Sequence, residues 1–432
     1  MGWFEYRNGV LYAESVSLVR IAEEIGTPVY CYSNAALKAN YKEFADAFGH
    51  RDVLIAYSVK ANANQAVITT LSDCGAGADV VSGGELQRAL AAGIPGTRIV
   101  FSGVGKTQEE LAAGLAAQVH QFNLESKTQL ESLSEIAAKQ NVKAPVAFRV
   151  NPDVDAKTHD KIATGRKADK FGVPIVEARG LYDLARSLPG IEVVGVDLHI
   201  GSQLTNLEPF KDAFSRLAEL VNALRGDGHD IRQIDLGGGL GVRYRDEEPP
   251  TASEYAELVD TIFGGFDCQL IFEPGRALVA NAGILLSQVI EVKHVSERRF
   301  VIIDAAMNDF LRPALYDAWH PIDPVCEALA DATREIVDIV GPVCESGDVL
   351  GIGRPMSFLA PGDFVAIGAA GAYGAVMASS YNTRPLAAEV MVHGGRIAIV
   401  RPRLQLDELI GRDRLPQWLG KPTNPLDEHG AT

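Results

Sequence analysis

The sequence predicts an α/β fold that combines a (β/α)8 TIM barrel with a mostly β domain, and three observations predict it. Between residues 50 and 275, short β-branched runs alternate with segments rich in Ala, Leu, Glu and Lys. There are eight such runs, and their continuous apolar character is typical of parallel strands buried on both faces. After Gly283 the helix-like segments give way to strand-like runs.

The eight runs are expected to be the barrel strands, because eight strand–helix units in about 225 residues fit a barrel of this kind. They are DVLIAYS (52–58), ADVV (78–81), RIVFS (98–102), VHQFN (119–123), PVAFRV (145–150), VVGVDLHI (193–200), QIDLG (233–237) and QLIFEPG (269–275). Predicted helices include 84–92, 108–117, 126–140, 207–224 and 252–263, with Thr107 and Ser126 as N-caps. The alternative is a doubly wound open sheet, which favours GxGxxG after its first strand, where this chain has SVKANAN.

The change from alternating strand-like and helix-like segments to strand-like runs alone sets the expected domain limits. Residues 1–34 are predicted to form a strand segment that packs with the β domain, and residues 35–282 the barrel. Residues 283–419 are predicted to form a Greek-key-like β barrel or sandwich, with HGGR at 393–396 as a hairpin turn. The polar tail at 420–432 is expected to be frayed.

Composition limits the classes of function. The chain has 432 residues, 47% hydrophobic and 22% charged, as in an ordinary globular protein with a sizeable core. Its formal net charge of -16 opposes binding to nucleic acids and to anionic membranes. We therefore expect neither a nucleic acid nor a membrane as a partner.

The cysteines and the apolar runs bear on the compartment. Five cysteines at wide spacing, without a CxxC, predict neither a disulfide framework nor a structural zinc site, and we assign no metal. No signal peptide and no membrane-spanning run of about 18 apolar residues is visible. We expect a cytoplasmic protein.

The barrel hypothesis places functional residues just past the C-terminal ends of the strands. Lys60 follows the first strand, where burial can release the proton of its amine and make it a nucleophile. His199 and Ser202 follow the sixth strand. Taken singly, a solvated lysine and a structural histidine are the commoner readings.

Two further strand ends suggest an anion site. Three consecutive glycines, Gly237, Gly238 and Gly239, follow the seventh strand, and their unobstructed N–H groups suit close approach of a phosphate. The eighth strand ends in FEPGR, where Glu273, Pro274, Gly275 and Arg276 place a carboxylate before a turn and a guanidinium after it. A flexible turn and a surface ion pair are the structural alternatives.

The β domain contributes residues that are inconspicuous by themselves. Cys344 and Glu345 lie in GPVCESGD, Arg312 and Tyr316 in RPALYDA, and Tyr373 in GAYG. A cysteine between strand-like runs is more often a buried small hydrophobe than a catalytic group.

Together, these segments resemble the fold-type III pyridoxal-phosphate decarboxylases, whose barrel is that of alanine racemase. The resembling segments run in order from about residue 57 to 385, most of the chain. They are YSVKANAN, GADVVSGGEL, FRVNPDVDAKTHDKIATG with KFG, HIGSQ, DLGGGLGVRY, FEPGRALV, RPALYDAWH, GPVCESGD and GAYGAVMASSYNTRP.

The resemblance implies a carbon–carbon lyase with pyridoxal 5'-phosphate as its cofactor, and it implies a role for each matching residue. Lys60 would carry the cofactor covalently, His199 would stack on its ring and Glu273 would bind its ring nitrogen. The remaining cofactor-binding residues would be Ser202, Gly237, Gly238, Gly239, Pro274, Gly275, Arg276 and Tyr373. Cys344 would deliver the proton, and the substrate would be recognised by Arg276, Arg312, Tyr316, Glu345 and Tyr373.

The resemblance also implies a substrate and an assembly. The expected reaction converts meso-2,6-diaminopimelate to L-lysine and CO2, the last step of bacterial lysine biosynthesis, because Arg276, Arg312 and Glu345 suit a second amino-acid head. A homodimer with active sites shared across its interface is implied as well. The alternatives are decarboxylation of carboxynorspermidine, D-ornithine, lysine or a carrier-bound glutamyl group, and a non-catalytic cofactor-binding protein.

Overall fold

The computed structural model describes residues 3–154, 170–327 and 333–419. The predicted tail at 420–432 lies outside these residues, as does the DAKTHDKIATG part of one resembling segment. The chain divides into two compact units. The barrel unit comprises Ser33–Gly283 and Ala369–Val376, and the β unit comprises Met1–Tyr32, Ile284–Gly368 and Met377–Thr432.

The N-terminal segment belongs to the β unit up to Tyr32. Its elements are β1 (Phe4–Arg7), β2 (Val10–Ala13), β3 (Val16–Ser17), α1 (Leu18–Ile25) and β4 (Val29–Ser33). The first three strands form a small antiparallel sheet. Every residue of β4 is buried, which indicates a central strand with both faces covered.

The barrel unit alternates strands and helices along the chain. Its elements are α2 (Asn34–Ala47), β5 (Val53–Ser58), α3 (Gln65–Asp73), β6 (Gly77–Val80), α4 (Gly83–Ala91), β7 (Ile99–Phe101), α5 (Gln108–Ala116), β8 (Gln121–Leu124), α6 (Lys127–Lys139), β9 (Ala144–Asn151), β10 (Val173–Pro174), α7 (Ile175–Ser187), β11 (Ile191–Leu198), α8 (Glu208–Gly226), β12 (Gln233–Asp235), α9 (Ala252–Phe263), β13 (Gln269–Phe272) and α10 (Arg276–Val279). Short 3-10 turns lie at Val59–Ala61, Gly96–Arg98, Ala280–Ala282 and Ala375–Met377.

Eight parallel strands close into a barrel within the described residues. Their order is β5, β6, β7, β8, β9, β11, β12 and β13, and β13 pairs with β5 to complete the ring, while the two-residue β10 extends β9. Each predicted run overlaps one of these strands. The predicted fold class is therefore confirmed.

The helix starts follow the local sequence. Thr107 caps α5: its hydroxyl oxygen accepts from the Glu110 N–H, and its own N–H donates to the Glu110 carboxylate. Ser126 caps α6 in the same way through its hydroxyl. Both predicted N-caps are thus confirmed. None of the helices in the described part of the chain is long and apolar enough to cross a membrane.

The β unit continues with β14 (Gly283–Val295), β15 (Arg298–Ile303), α11 (Arg312–Tyr316), β16 (Ile322–Pro324), β17 (Arg334–Val340), β18 (Val349–Ser357), β19 (Phe364–Ile367), β20 (Ala388–His393), β21 (Arg396–Arg401) and α12 (Leu406–Ile410). Further 3-10 turns lie at Tyr381–Thr383 and Gln417–Leu419.

The main sheet of the β unit has the order β18-β17-β15-β14-β4-β20-β21, with β19 paired to β14 and β16. The N-terminal strand β4 therefore lies between two strands from the second half of the chain. The predicted hairpin is confirmed, since β20 and β21 are antiparallel with His393 opposite Arg396.

Candidate active site

Lys60 lies in the 3-10 turn directly after the first barrel strand, β5. Its Nζ atom is 3.0 Å from Asp79 Oδ2 at the end of β6, and the same oxygen accepts the Ser58 hydroxyl at 2.7 Å. Burial alone lowers the pKa of Lys60, but the Asp79 and Glu273 carboxylates outweigh it and raise the pKa overall. Without a cofactor, this amine is therefore held as an ammonium group.

The three predicted glycines form a tight loop after β12. Gly237 and Gly239 have positive φ angles of 63° and 114°, which side chains rarely adopt. A Cβ atom on Gly238 would overlap the carbonyl oxygen of Glu273. The loop therefore requires glycine at these positions.

His199 is fixed by that loop. The Gly238 N–H donates to His199 Nδ1 at 3.1 Å, so this nitrogen carries a lone pair. Burial, followed by the nearby Arg149 and Lys60 cations, lowers the pKa of His199 well below its ordinary value. The ring is therefore neutral and is suited to stacking on an aromatic ligand.

Arg276 lies next to the glycine loop and donates to two hydroxyl groups. Its Nη2 atom donates to Ser202 Oγ at 3.0 Å, and Nη1 donates to the Tyr244 hydroxyl. The Nε atom is buried and has no hydrogen-bond partner among the residues that the structure describes. Arg276 therefore retains a buried donor on Nε that an anion can satisfy.

Tyr373 joins this group from a distant part of the chain. Its backbone N–H donates to the Ala61 carbonyl at 2.7 Å, and its ring centroid lies 4.9 Å from Arg276 Cζ. The neighbouring Gly371 N–H donates to the Ala280 carbonyl. The segment Ala369–Val376 is thus built into the barrel unit.

Glu273 lies at the end of the eighth strand inside a polar network. Its Oε1 atom accepts from Ser102 Oγ at 3.0 Å and more weakly from Asn123 Nδ2 at 3.4 Å. Carboxylate oxygens of Glu273, Asp197 and Asp235 all lie within 4.8 Å of one another. Burial and the neighbouring Asp235 and Asp79 carboxylates raise the pKa of Glu273. A cationic ring nitrogen beside this carboxylate cluster would offset the rise in pKa and keep Glu273 ionised.

Pro274 and Gly275 connect the ends of the last and first barrel strands. The Pro274 carbonyl accepts the Ser58 N–H at 3.1 Å. A Cβ atom on Gly275 would lie 3.0 Å from Ala61 Cβ and 3.1 Å from Ser58 Cβ. The missing side chain at 275 lets Arg276 approach the Lys60 turn.

Cys344 and Glu345 are neighbours on a loop of the β unit. The Cys344 side chain is exposed, and its backbone N–H donates to Asn382 Oδ1 at 3.2 Å. The Glu345 carboxylate, hydrogen-bonded to the Tyr381 hydroxyl, raises the pKa of Tyr381. The loop therefore presents a thiol and a carboxylate side by side.

Arg312 and Tyr316 form a second pair in the β unit. They begin and end the five-residue helix α11, and the Arg312 guanidinium lies over the Tyr316 ring with its carbon 5.9 Å from the ring centroid. Arg312 is buried, and its Nε atom donates to His320 Nε2 at 3.1 Å. His320 in turn contacts the Gly368 carbonyl at 3.0 Å.

The predicted residues thus fall into two sets. The barrel unit brings together Lys60, His199, Ser202, Gly237, Gly238, Gly239, Glu273, Pro274, Gly275, Arg276 and Tyr373. The β unit brings Cys344 next to Glu345 and Arg312 next to Tyr316.

Several polar residues of the barrel mouth received no role from the sequence. Asp79 holds Lys60, Tyr244 holds Arg276, and Asn123 donates to Asp235 Oδ2 at 3.1 Å as well as to Glu273. Asp197 and Asp235 could have been found from the sequence, because each is a carboxylate within an apolar strand. Both are buried in the structure.

The barrel residues fit pyridoxal phosphate. The buried Nε of Arg276, the Ser202 hydroxyl and the glycine loop suit its phosphate. The Lys60 amine suits its aldehyde, the neutral His199 ring suits its aromatic face, and Glu273 suits its ring nitrogen.

Comparisons with known proteins identify the family. Residues 34–280 match the family model for the pyridoxal-binding domain of pyridoxal-dependent decarboxylases. A curated diaminopimelate decarboxylase from Pseudomonas aeruginosa is 52% identical over 418 residues, covering 96% of this chain and 100% of the relative.

Two solved structures are similar over nearly the whole chain. Diaminopimelate decarboxylase from Helicobacter pylori, complexed with L-lysine, has a TM-score of 0.88 and 40% identity, covering 94% of this chain and 100% of that one. The enzyme from M. jannaschii, also with L-lysine, has a TM-score of 0.92 and 38% identity, covering 96% and 98%. The predicted resemblance is confirmed: the chain belongs to the pyridoxal-dependent decarboxylases and, within them, to the diaminopimelate decarboxylase family.

Proposed function

We propose that this protein decarboxylates meso-2,6-diaminopimelate to L-lysine and CO2, with pyridoxal phosphate bound at the barrel mouth. The observation that carries the proposal is the grouping of Lys60, Arg276 and Glu273 at one end of one barrel, supported by the contacts of each with neighbouring strand ends. When bound, the cofactor supplies an electron-withdrawing ring that takes up the electron pair left at Cα as CO2 departs.

Binding and orientation of the cofactor fall to the barrel unit. Lys60 would hold it covalently through Nζ, and Ser202, Arg276 and the glycine loop would bind its phosphate. His199, whose neutral imidazole adds no charge, would contact its aromatic ring. Tyr373, whose N–H is fixed to Ala61 and whose ring lies beside Arg276, would contact the cofactor as well.

Glu273 directs the reaction towards decarboxylation. A carboxylate beside the ring nitrogen keeps that nitrogen protonated and strengthens the electron sink, whereas an arginine there would weaken it and favour racemisation. The Ser102 hydroxyl, 3.0 Å from Oε1, stabilises the anionic form of Glu273.

Cys344 completes the reaction as the acid. The Cα atom loses CO2 and must gain one proton, which the thiol donates before it is reprotonated from solvent. Exposure of Cys344 is compatible with both transfers.

Recognition of the distal amino-acid head falls to charged residues of both signs. Arg276 and Arg312 with Tyr316 bind its carboxylate, and Glu345 binds its ammonium group, while Tyr373 contacts the substrate at the cofactor. Lysine and ornithine lack a distal carboxylate, so they cannot form these ion pairs and bind less well.

The working form in this proposal is a cytoplasmic homodimer in which Cys344 and Glu345 reach the active site of the second copy. The family resemblance supports the shared site. The reducing compartment is supported by the cysteines, which are all unpaired.

The test is an activity assay on purified, cofactor-loaded protein. With meso-diaminopimelate we expect equimolar CO2 and L-lysine, and little CO2 from D-ornithine, lysine or carboxynorspermidine. Release of CO2 from one of these but not from meso-diaminopimelate would overturn the substrate assignment. A bound cofactor without CO2 from any substrate would indicate a non-catalytic binding protein.

A further inference from the structure

The loop that carries Cys344 is closed by one buried side chain, Asp348. The Asp348 Oδ2 atom accepts the Val343 N–H at 2.7 Å, one residue before the thiol. Its Oδ1 atom accepts the Met307 N–H at 2.6 Å, from the turn that follows β15. Only 3% of Asp348 is exposed. A single carboxylate thus joins the loop to a separate segment of the β unit.

Backbone hydrogen bonds within the same loop also define its shape. The Gly341 N–H donates to the Asp348 carbonyl at 3.1 Å, and the Asp348 N–H donates to the Glu345 carbonyl at 3.1 Å. The Glu345 N–H donates to the Val343 carbonyl at 2.8 Å. Asp348 therefore places its N–H, its carbonyl and both carboxylate oxygens in hydrogen bonds that hold the loop 341–348.

The turn to which Asp348 ties the loop is itself fixed. The Ala306 N–H donates to Asp309 Oδ2 at 3.0 Å, and Arg384 donates from Nε to Asn308 Oδ1 at 3.0 Å. Arg384 also donates to the Asp304 carbonyl. Since Met307 lies within this turn, its hydrogen bond fixes the Asp348 carboxylate, and the carboxylate in turn fixes the loop through Val343.

The chemistry of the site requires a carboxylate. Both oxygens accept N–H groups, and an asparagine offers only one acceptor and would point its NH2 group at the second N–H. Each such charge-assisted bond is stronger than a neutral one. Gly341 leaves the space that the Asp348 carboxylate occupies, because a Cβ atom at position 341 would overlap that carboxylate.

We propose that Asp348 is a positioning residue for the proton transfer that Cys344 performs: it holds the thiol in place through the Val343 N–H. This inference rests on the proposed function, and on the role of Cys344 within it. It extends that function by giving a role to Asp348, the last residue of GPVCESGD. That role is to set the rate of the protonation step through the position of Cys344.

The experiment compares Asp348→Asn, Cys344→Ala and the combined variant as cofactor-loaded enzymes. We expect Asp348→Asn to lower kcat by roughly 10- to 100-fold, since a misplacement of about 1 Å can cost that much. The KM should change by a smaller factor, and borohydride fixation of the cofactor should match the wild type. In the Cys344→Ala background, Asp348→Asn should not lower the remaining kcat further.

Hydrogen exchange measured by mass spectrometry gives a second readout. Peptides that cover residues 341–348 should exchange faster in Asp348→Asn. Asp338→Asn is the matched control, because Asp338 is also buried in the β unit and accepts the Gly353 N–H at 2.9 Å. It should leave both kcat and exchange in 341–348 unchanged. If Asp348→Asn does not fold, Asp348→Glu, which keeps two acceptor oxygens but shifts them by one methylene group, replaces it in the comparison.

The outcomes separate this inference from the function on which it rests. No CO2 from the wild type overturns the proposed function and this inference with it. Full turnover by Cys344→Ala leaves the decarboxylation standing but overturns the acid role of Cys344, and with it this inference. An active wild type combined with an unchanged kcat in Asp348→Asn overturns the inference alone. So does an equal loss of kcat in the presence and absence of Cys344, because Asp348 would then act independently of the thiol.

Discussion

The Lys60 amine lies 3.0 Å from the Asp79 carboxylate, and Asp79 is completely buried. The pair comes from the ends of two adjacent strands, β5 and β6, so the pairing of these strands fixes it. Because Asp79 raises the pKa of Lys60, it keeps the amine protonated and unreactive until a cofactor arrives.

Asp79→Asn should therefore accelerate the loading of pyridoxal phosphate onto the cofactor-free protein. Without the Asp79 charge the pKa of Lys60 falls, so the neutral fraction at pH 8 rises about tenfold for each unit of pKa. The measurement is the rate at which the visible absorbance of the bound cofactor appears. Asp183→Asn, which removes an exposed ion pair with Arg186, is the control. Equal or slower loading in Asp79→Asn would contradict the argument.

Glu273→Gln should lower kcat by roughly 100-fold while the cofactor remains covalently attached, since general acid–base groups contribute on this scale. Glutamine keeps an oxygen for the Ser102 hydroxyl but loses the charge that holds the ring nitrogen protonated. Steady-state kinetics and borohydride fixation together check this result. Glu219→Gln, an exposed change on α8, should behave like the wild type. A kcat within a few-fold of the wild type would remove Glu273 from the electron sink.

Mixing two inactive variants should restore activity if active sites are shared between copies. Lys60→Ala lacks the cofactor anchor and Cys344→Ala lacks the acid, so a mixed dimer contains one site with both groups. Random reassociation gives about a quarter of the wild-type activity, because half of the dimers are mixed and each has one intact site. Activity is measured after mild denaturation and refolding of the mixture. Complete absence of recovery, with dimers confirmed by light scattering, would show that each site is built from one chain.

The β unit should lose stability as the pH rises from about 4 to about 6. Burial raises the pKa of Asp309 to about 6, so the folded state holds this proton more tightly than the unfolded chain does. Stability is full below the unfolded pKa and decreases until the pH passes the folded pKa. Between pH 4.5 and 7.5 this amounts to about 2 kcal/mol.

Asp309→Asn should flatten this pH dependence, because the amide does not titrate. The measurement is urea unfolding of both proteins at pH 4.5 and 7.5. Asp363→Asn, which changes an exposed carboxylate that caps the Ala360 N–H, should keep the wild-type slope. An identical slope in Asp309→Asn and the wild type would exclude Asp309 as its origin.

The barrel and much of its mouth were predictable from the sequence. Strands buried on both faces leave continuous apolar runs, and a closed parallel barrel brings their C-terminal ends together whatever the loops do. Lys60 and Glu273 could therefore be placed near each other from strand counting alone, and the structure links them through Ser58, which contacts Asp79 and the Glu273 carbonyl.

The hydrogen-bond partners were not predictable, because they depend on pairs of strands far apart in the chain. Asn123 reaches Asp235 and Glu273 only once β8 faces β12 and β13 across the barrel interior. Tyr373 enters the barrel unit from a segment that follows β19, and no local pattern marks it. Asp348 likewise acts on Val343 and Met307, and the second contact spans 41 residues.

The position of β4 between β14 and β20 affects the order in which the chain can fold during synthesis. The strand Val29–Ser33 emerges early, but β20 begins only at Ala388. At about 5–20 residues per second, the ribosome needs roughly 20–70 s to make the intervening chain. During that time the barrel unit can fold and β14 can pair with one edge of β4, while the other edge of this buried strand has no partner. A chaperone that binds nascent hydrophobic segments would therefore find a target at Val29–Ser33, and its release would await β20.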